Sequence, residues 1–320
     1  MTNNQPKTLQ EAILYFSDKQ TAIDFIASLR WLDGVKCPYC QSDNLGYVKT
    51  RFIWQCKGCK KQFSVKVGTI FEDSPIGLDK WLCAIWMIAS AKNGISSYEI
   101  HRSLGVTQKT GWFMLHRIRL AMQNGSFDKL SGHVEVDETY VGGKVANMHK
   151  GKRDEREQQG RGSVGKAIVV GLLERNGQVR TKVVKKAKKK VLHNLIRDNV
   201  EQGANLYTDA FKSYDGLTAE YIHETIDHAT EYVRGNVHTN GIENFWSLFK
   251  RALRGTYTNC DSVHLFRYLD EQTFRFNNRK TTDSVRFALV LHMVTGKRIT
   301  YDQLIDNEKY KQLKLWGKVA

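Results

Sequence analysis

The sequence lacks any apolar run long enough to cross a membrane. Its longest apolar stretch, WLCAIWMIASA at residues 81–91, falls well short of the roughly 18 to 20 residues that a spanning helix needs. The first residues, MTNNQPKTLQ, are polar and do not resemble a secretory signal. We therefore exclude a protein with spanning helices and expect an intracellular one.

Acidic residues are scarce relative to basic ones. The chain has 33 Asp and Glu against 49 Lys and Arg, a formal net charge of +16. Solubility needs less charge than this, so we expect a polyanionic partner. Nucleic acid is favoured over an anionic membrane because no strongly amphipathic basic helix dominates the sequence. A ribosomal-type or merely cationic protein would carry a similar charge, so composition leaves those classes open.

Cysteines are also few, and their spacing fits a metal site better than a disulfide framework. Four of the six form the pairs Cys37/Cys40 and Cys56/Cys59, while Cys83 and Cys260 are single. The pairs enclose 15 residues that resemble a hairpin, the arrangement of a zinc ribbon. Four thiolates leave no open position on the metal, so the pattern predicts a structural zinc in a reducing compartment.

The N-terminal part of the chain is predicted to be helical on both sides of this ribbon. Residues 8–30 have the apolar spacing of two short helices. Residues 78–123 are predicted to be helical throughout, with a capping box of Ser96 and Glu99, a turn at Gly105 and a second cap at Thr107. This is helix-turn-helix spacing, although a helical hairpin used only for packing would have the same pattern. As a DNA reader, the second helix would offer these side chains: Gln108, Lys109, Thr110 and Arg117.

From residue 130 the pattern changes to that of an α/β fold. It predicts three antiparallel strands in HVEVDETYV, KAIVVGLLE and QVRTKVVKKA, with a turn at RNGQ. A helix, the strand ANLYTDAF, a short helix around SYDGLTAEY, the strand IHETIDH and a long helix follow. The basic insertion at residues 144–166 predicts a mobile loop. The predicted divisions are N-terminal helices at 1–34, a zinc ribbon at 35–75, a helical DNA-binding region at 76–126, a catalytic domain at 130–280 and a helical tail at 281–320.

Three acidic residues on separate elements form the candidate catalytic set. Asp137 and Asp209 lie at or near strand ends, and Glu243 lies on the polar stripe of the long helix with Asn240 one turn before it. Alternation puts Asp137 on the strand face opposite Val134 and Val136, and we expect it to point away from the core. Carboxylates are the ligands that magnesium prefers, and a metal pair assists displacement at phosphorus. Each acid alone is more often a cap, a turn residue or a surface charge.

The segments RWLDGVKCPYC, VDETYVGGK, YTDAFKSY and HTNGIENFWSLFKRALRGTY, in this order, resemble the zinc-ribbon insertion-sequence transposases of the ISXO and Merlin-related group. The resemblance spans residues 10 to 280. It implies a ribonuclease H-like mixed-sheet catalytic domain and a DDE triad of Asp137, Asp209 and Glu243 that binds magnesium or manganese. Asn240 is the alternative third ligand, because some relatives use asparagine there. We prefer Glu243, whose charge better matches two dications.

The resemblance also implies a substrate and a reaction. We expect cleavage at the ends of a bacterial insertion sequence and transfer of the 3′-hydroxyl strand into target DNA, by a homodimer or larger assembly in the cytoplasm, associated with the nucleoid. Lys250 matches a basic residue that would contact substrate phosphate, whereas Glu138 and His238 could simply orient their neighbours. The basic run RTKVVKKAKKK would follow the phosphate backbone or, alternatively, protect a sheet edge. The other predicted DNA contacts are Lys185, Lys186, Lys188, Lys189, Lys190 and Arg251.

Two other functions compete with transposition. One is a zinc-ribbon DNA-binding regulator with an inert catalytic fold, and the acid triad argues against it. The other is a ribonuclease or repair nuclease that cuts without joining, and the N-terminal DNA reader argues against that. No arginine cluster accompanies Tyr140, Tyr207 or Ser213, so we exclude tyrosine or serine recombination through a covalent intermediate.

Overall fold

The computed structural model of the protein describes residues 6–123, 128–142, 166–226, 237–258 and 260–305. Its contacts divide the chain into two compact units, of which the first comprises Met1–Gln123 and Lys280–Ala320 and the second Asn124–Arg279. No helix in the described ranges is long and apolar enough to cross a membrane. The basic insertion that the sequence analysis predicts to be a mobile loop lies outside the described residues, apart from its last residue.

The first unit combines helices with a small antiparallel sheet. Its N-terminal helices, α1 and α2, begin at caps whose side chains accept main-chain N–H groups, Thr8 and Asp18. A three-stranded sheet in the order β1-β2-β3 and further helices follow. The bounds are α1 Leu9–Phe16, α2 Lys19–Arg30, β1 Leu45–Val48, β2 Ile53–Cys56, β3 Gln62–Phe63, α3 Leu78–Ser90, α4 Ser97–Leu104 and α5 Gln108–Ala121.

The predicted capping box, turn and second cap are all present in the structure. Ser96 and Glu99 form both hydrogen bonds of a capping box at the start of α4, and Gly105 ends that helix in the left-handed region with φ 59°. Thr107 caps α5 by accepting from the N–H of Thr110. A side chain at Gly111 would approach the carbonyl oxygen of Ser97 to 2.9 Å, so glycine allows α4 and α5 to pack closely. Residues 91–96, up to and including the predicted cap Ser96, are not helical and separate α3 from α4.

The last described helices belong to this first unit. They are α9 Asp283–His292 and α10 Tyr301–Ile305, numbered after the helices of the second unit. The sequence predicts a separate helical tail at residues 281–320. In the structure Phe287 of α9 contacts three aromatic rings of the first unit, with centroids 5.9 Å from Phe16, 6.4 Å from Phe25 and 4.9 Å from Trp86. This aromatic contact explains why the C-terminal helices group with the N-terminal residues.

The second unit is a five-stranded mixed sheet in the order β6-β5-β4-β7-β8. The first three of these strands are antiparallel, while β4, β7 and β8 run parallel. The bounds are β4 His133–Val141, β5 Ala167–Glu174, β6 Val179–Val184, α6 Lys189–Asn199, β7 Asn205–Asp209, β8 Ile222–Ile226, α7 Asn240–Gly255 and α8 Leu265–Asn277. The prediction of a short helix around residues 213–221 is wrong, since only a 3-10 turn at Lys212–Tyr214 forms there.

Both faces of this sheet carry a hydrophobic core. On one face Val134 and Val136 pack with apolar residues of α6, and on the other Val169 and Leu173 pack with α7 and α8. Hydrophobic residues therefore recur on alternate sides of β5, whose interior is buried throughout. The expectation that Asp137 points away from the core must be corrected: it faces away from Val134 and Val136, but α7 covers that side.

Candidate active site and metal centre

The four paired cysteines come together in the first unit. Their sulfur atoms all lie within 4.8 Å of one another, with Cys37 Sγ 3.7 Å from Cys59 Sγ and Cys40 Sγ 3.6 Å from Cys56 Sγ. Sulfurs about 2.3 Å from a tetrahedral zinc ion are about 3.8 Å apart, so this donor set fits zinc. Four thiolates complete the coordination, which supports a structural site.

Two similar turns present these thiols. Gln41 and Lys60, each directly after the second cysteine of a pair, adopt φ values of 62° and 61°. The N–H of Cys59 approaches Cys56 Sγ at 3.5 Å, and this main-chain donor is the largest influence that lowers the pKa of the Cys56 thiol. The thiolate is the form that binds zinc, so the turn favours the metal-binding state of its own ligand.

In the second unit, the neighbouring parallel strands β4 and β7 carry two of the predicted acids, Asp137 and Asp209. Glu135 of β4 pairs with Tyr207 of β7 in parallel register. Extending this register by two residues aligns Asp137 with Asp209. Because side chains alternate with a period of two, both acids lie on the same face of the sheet. The main-chain N–H of Phe211 donates to Asp209 Oδ1 at 3.2 Å, so the turn after β7 orients that carboxylate.

Asp137, Glu138 and Asp209 influence one another electrostatically. Burial is the main cause that raises the pKa of Asp137 to about 7, and the charges of Glu138 and Asp209 act in the same direction. Burial also raises the pKa of Glu138, against the hydrogen bond that Tyr214 Oη donates to Glu138 Oε2 at 2.7 Å. Clustered carboxylates repel one another unless a cation is bound, so the donor set fits a hard divalent ion.

Two donors fix the orientation of the Asp137 carboxylate. Trp246 Nε1 of α7 donates to Asp137 Oδ2 at 3.0 Å, and the N–H of Glu138 donates to Asp137 Oδ1 at 2.8 Å. Gly171, which pairs with Asp137 across the sheet, leaves room for the indole: a Cβ there would be 2.6 Å from Trp246 Cζ2. The helix is therefore in direct contact with the central acid.

The third predicted acid lies in the first turn of the same helix. Glu243 is exposed and accepts a hydrogen bond from Thr239 Oγ1 at 3.0 Å. It precedes Trp246 by three positions, which places both residues on neighbouring parts of the helix surface. Asn240 is also exposed, one turn before Glu243. The structure thus brings Asp137, Glu138 and Asp209 together and connects them to the helix that carries both candidates for the third ligand.

Comparison with known proteins gives two family matches. Residues 129–277 match an ISXO2-like transposase domain, and residues 17–62 match a transposase zinc-ribbon domain. A transposase-like protein of Haemophilus influenzae is 32% identical over 123 residues, covering 38% of this chain and 98% of that relative. The chain belongs to the ISXO2-like transposase family. A protein in the transposable element ISH50 of Halobacterium salinarum is 29% identical over 253 residues, covering 74% of this chain and 84% of the relative.

The side chains predicted to contact DNA in this transposase-family chain have varied surroundings. Gln108 Nε2 donates to Ser97 Oγ at 2.8 Å, Lys109 Nζ lies 4.4 Å from the centroid of Tyr301, and the hydroxyl groups of Thr110 and Thr107 are 2.8 Å apart. Arg117 is only 3% exposed and donates to the carbonyl oxygens of Ile299 and Glu72. Because this side chain holds the first unit together, we do not retain it as a DNA contact.

The basic residues predicted in the transposase domain are more accessible. Lys250 is half-buried and Arg251 is exposed, both on α7. The lysines around the start of α6 are all exposed: Lys185, Lys186, Lys188, Lys189 and Lys190. Lys188 is the N-cap of α6, which has no side-chain cap and no acidic residue in its first turn.

Sequence reasoning missed Trp246, the donor to Asp137. The sequence predicts an orienting role for Glu138, and in the structure its charge adds to burial in raising the pKa of Asp137. The signal for Trp246 was present, because it follows Glu243 by three residues on the same helix. Arg175, whose Nε donates to Glu135 Oε1 at 2.8 Å, was also missed, since a residue in a hairpin turn gives no sequence indication of its partners.

Proposed function

We propose that this protein is a DDE transposase that cleaves at insertion-sequence ends and transfers the 3′-hydroxyl strand into target DNA. The observation that carries the proposal is the parallel register of β4 and β7, which aligns Asp137 with Asp209 on one face of the sheet. Burial, the charge of Glu138 and the charge of Asp209 together raise the pKa of Asp137. Structural ion pairs normally place a cation beside a buried acid. An acid surrounded by acids is typical of a site that binds metal together with phosphate.

The residues of the site have distinct proposed roles. Asp137, Asp209 and Glu243 would hold magnesium or manganese, with Asn240 as the alternative to Glu243. When bound, such ions supply charge neutralisation at the attacking and leaving oxygens of a phosphodiester. Trp246 and the N–H of Glu138 orient the Asp137 carboxylate. Lys250 would contact a substrate phosphate from the same helix as Glu243.

The sheet order supports a ribonuclease H-like core as the scaffold for this chemistry. Three antiparallel strands continue into two parallel strands, with Asp137 on the central strand and Asp209 at the end of the next one. Helices pack on both faces of that sheet. We further propose that the first unit reads double-stranded DNA, that two or more chains assemble on paired element ends, and that the protein acts on DNA in the bacterial cytoplasm and nucleoid.

Strand transfer of a pre-cleaved element end into plasmid DNA tests this function. With magnesium, we expect the wild type to join the DNAs, and Asp209→Ala to abolish joining while end binding persists. Glu243→Ala should lower the joining rate at least about 100-fold and Asn240→Ala less than about 5-fold, because only the carboxylate neutralises dication charge. Gel shifts of the same variants supply the binding control.

Each competing function gives a different result in this assay. Hydrolysis of the end without joining would indicate a nuclease, and binding with neither reaction would indicate a regulator. If Asn240→Ala is inactive and Glu243→Ala is active, Asn240 is the third ligand and our assignment is wrong.

The lysines at the start of α6 give a separate prediction about DNA affinity. Positive side chains oppose the positive end of a helix dipole, so this cluster weakens its own helix and suits a phosphate ligand. Replacing Lys185, Lys186 and Lys188 by Gln one after another should lower the salt dependence of binding by about 0.9 in log–log slope per lysine that contacts a phosphate. Fluorescence anisotropy at several salt concentrations measures this slope. An unchanged slope in the triple variant would remove these lysines from the DNA-binding surface.

A further inference from the structure

Glu135 is a buried acid that the proposed reaction does not use. It lies two residues before Asp137 on β4, on the same face, and is 1% exposed. A buried carboxylate is costly unless hydrogen-bond donors surround it. The donors to Glu135 come from two segments that are distant in sequence, the turn between β5 and β6 and the first turn of α7.

The contacts of Glu135 resemble those of a helix cap supplied from another element. Glu135 Oε2 accepts the main-chain N–H of Ile242 at 2.9 Å, and Glu135 Oε1 accepts from Arg175 Nε at 2.8 Å. His238 Nδ1 lies 3.4 Å from the same Oε1 atom. The N-cap residue of α7, Thr239, makes no side-chain cap bond, since its hydroxyl donates to Glu243. The strand therefore provides the cap that the helix does not provide for itself.

Arg175 completes this contact from the β5–β6 turn. Its Nη2 atom donates to the carbonyl oxygen of His238 at 2.9 Å, and its guanidinium lies 4.3 Å from the centroid of the Tyr207 ring. Tyr207 Oη is in turn 2.8 Å from His133 Nδ1 on β4. The segment that leads into α7 is thus held by residues of β4, β7 and the hairpin turn.

The close approach of helix and strand requires glycine at position 241. A Cβ on Gly241 would lie 2.8 Å from Glu135 Oε2 and 2.6 Å from Leu173 Cδ2. One turn later, Trp246 donates to Asp137. The helix is therefore attached to β4 at two residues of one face, Glu135 and Asp137, and this double attachment sets where the first turn of α7 lies relative to the Asp137 carboxylate.

We propose that Glu135 is a positioning residue, which seats the N-terminus of α7 on β4 so that the third acid and Asp137 serve one site. This inference rests on the proposed function for its effect on catalysis, but its structural part is independent of it. Glu135 acts through α7 and not on the substrate. A displacement of about 1 Å between catalytic groups can cost about 100-fold in rate. Loss of the Glu135 contact with α7 should therefore lower the rate of the chemical step.

Hydrogen exchange and strand transfer together test the proposal, using the full chain. In Glu135→Ala we expect the amides of residues 240–243 to exchange about 10-fold faster without metal, because one hydrogen bond to the helix start is lost. The joining rate at saturating DNA should fall about 100-fold, with end binding unchanged. Glu135→Gln should recover part of the rate, since its carbonyl oxygen can still accept from Ile242.

Two further variants keep the test decisive. Gly241→Ala changes no charge but blocks the close approach of α7 to Glu135. It should therefore reproduce the loss of joining even if Glu135→Ala fails to fold. Glu201→Gln changes an exposed acid of the same unit and should behave as the wild type. Unchanged exchange at 240–243 in Glu135→Ala, or faster exchange with a wild-type joining rate, overturns the proposal. If the wild type joins no DNA, the proposed function fails, while the exchange result still decides whether Glu135 seats the helix.

Discussion

Replacing Asp137 by Asn should abolish strand transfer and, at the same time, make the metal-free protein more resistant to unfolding at alkaline pH. The loss of joining should be at least about 1000-fold, since the central carboxylate of a metal-assisted reaction is removed. The gain in stability follows from the raised pKa of Asp137, which shows that the folded protein disfavours the charged form.

The sign of the pH dependence follows from the two pKa values. The Asp137 pKa is about 7 in the folded protein and 3.8 in the reference state. Below about pH 4 the carboxyl is protonated in both states and costs the fold nothing. As pH rises toward 7, the unfolded chain releases its proton first, so the free energy of unfolding decreases by up to about 4 kcal/mol. Asn carries no charge and escapes this penalty.

Thermal or urea unfolding between about pH 4 and pH 8 measures the effect. The free energy of unfolding of Asp137→Asn minus that of the wild type should increase with pH, even if the amide loses one hydrogen bond at every pH. Magnesium should stabilise the wild type and not the variant. Asp198→Asn, an exposed acid on α6, is the matched control and should show no such trend. A pH-independent difference for Asp137→Asn would contradict the assignment of Asp137 to a destabilised carboxylate cluster.

The strands of the second unit could be predicted because their apolar pattern is strong. HVEVDETYV coincides with β4, and the hairpin of β5 and β6 turns at Asn176, whose φ is 64°. The predicted helix around residues 213–221 failed because local helical spacing did not outweigh the turns that follow β7. Alternation correctly put Asp137 opposite Val134 and Val136, but it could not reveal that α7 would cover the other face.

The long-range contacts of the site could not be predicted from the sequence. The donation from Trp246 to Asp137 and the cap that Glu135 gives α7 join residues more than a hundred positions apart. Periodicity describes which face of an element is apolar, not which polar atoms meet across two elements. Gly171 and Gly241 mark where α7 and the sheet approach each other closely, because a Cβ at either position would block that approach. Their partners became evident only from the structure.

The cysteine cluster leads to the second large effect. Cys56→Ser should remove the zinc and unfold the ribbon, because β1, β2 and β3 contain too few residues to form a stable sheet unaided. The aromatic contacts of Trp54 with Phe63 and Trp31 add a small apolar cluster, with ring centroids 5.8 and 5.9 Å apart. A structural zinc site supplies about 10 to 16 kcal/mol of binding energy, far more than such a cluster provides.

Metal analysis and limited proteolysis of the full-length variants check this prediction. The wild type prepared under reducing conditions should retain zinc, and its ribbon should resist cleavage. Cys56→Ser should lose the metal and be cut within residues 37–63, and a chelator should produce the same cuts in the wild type. Cys260→Ser, which changes a half-buried cysteine outside the cluster, should keep both properties. Zinc-free wild type with an intact ribbon would refute the metal assignment, because four thiols at these sulfur distances would then be held by packing alone.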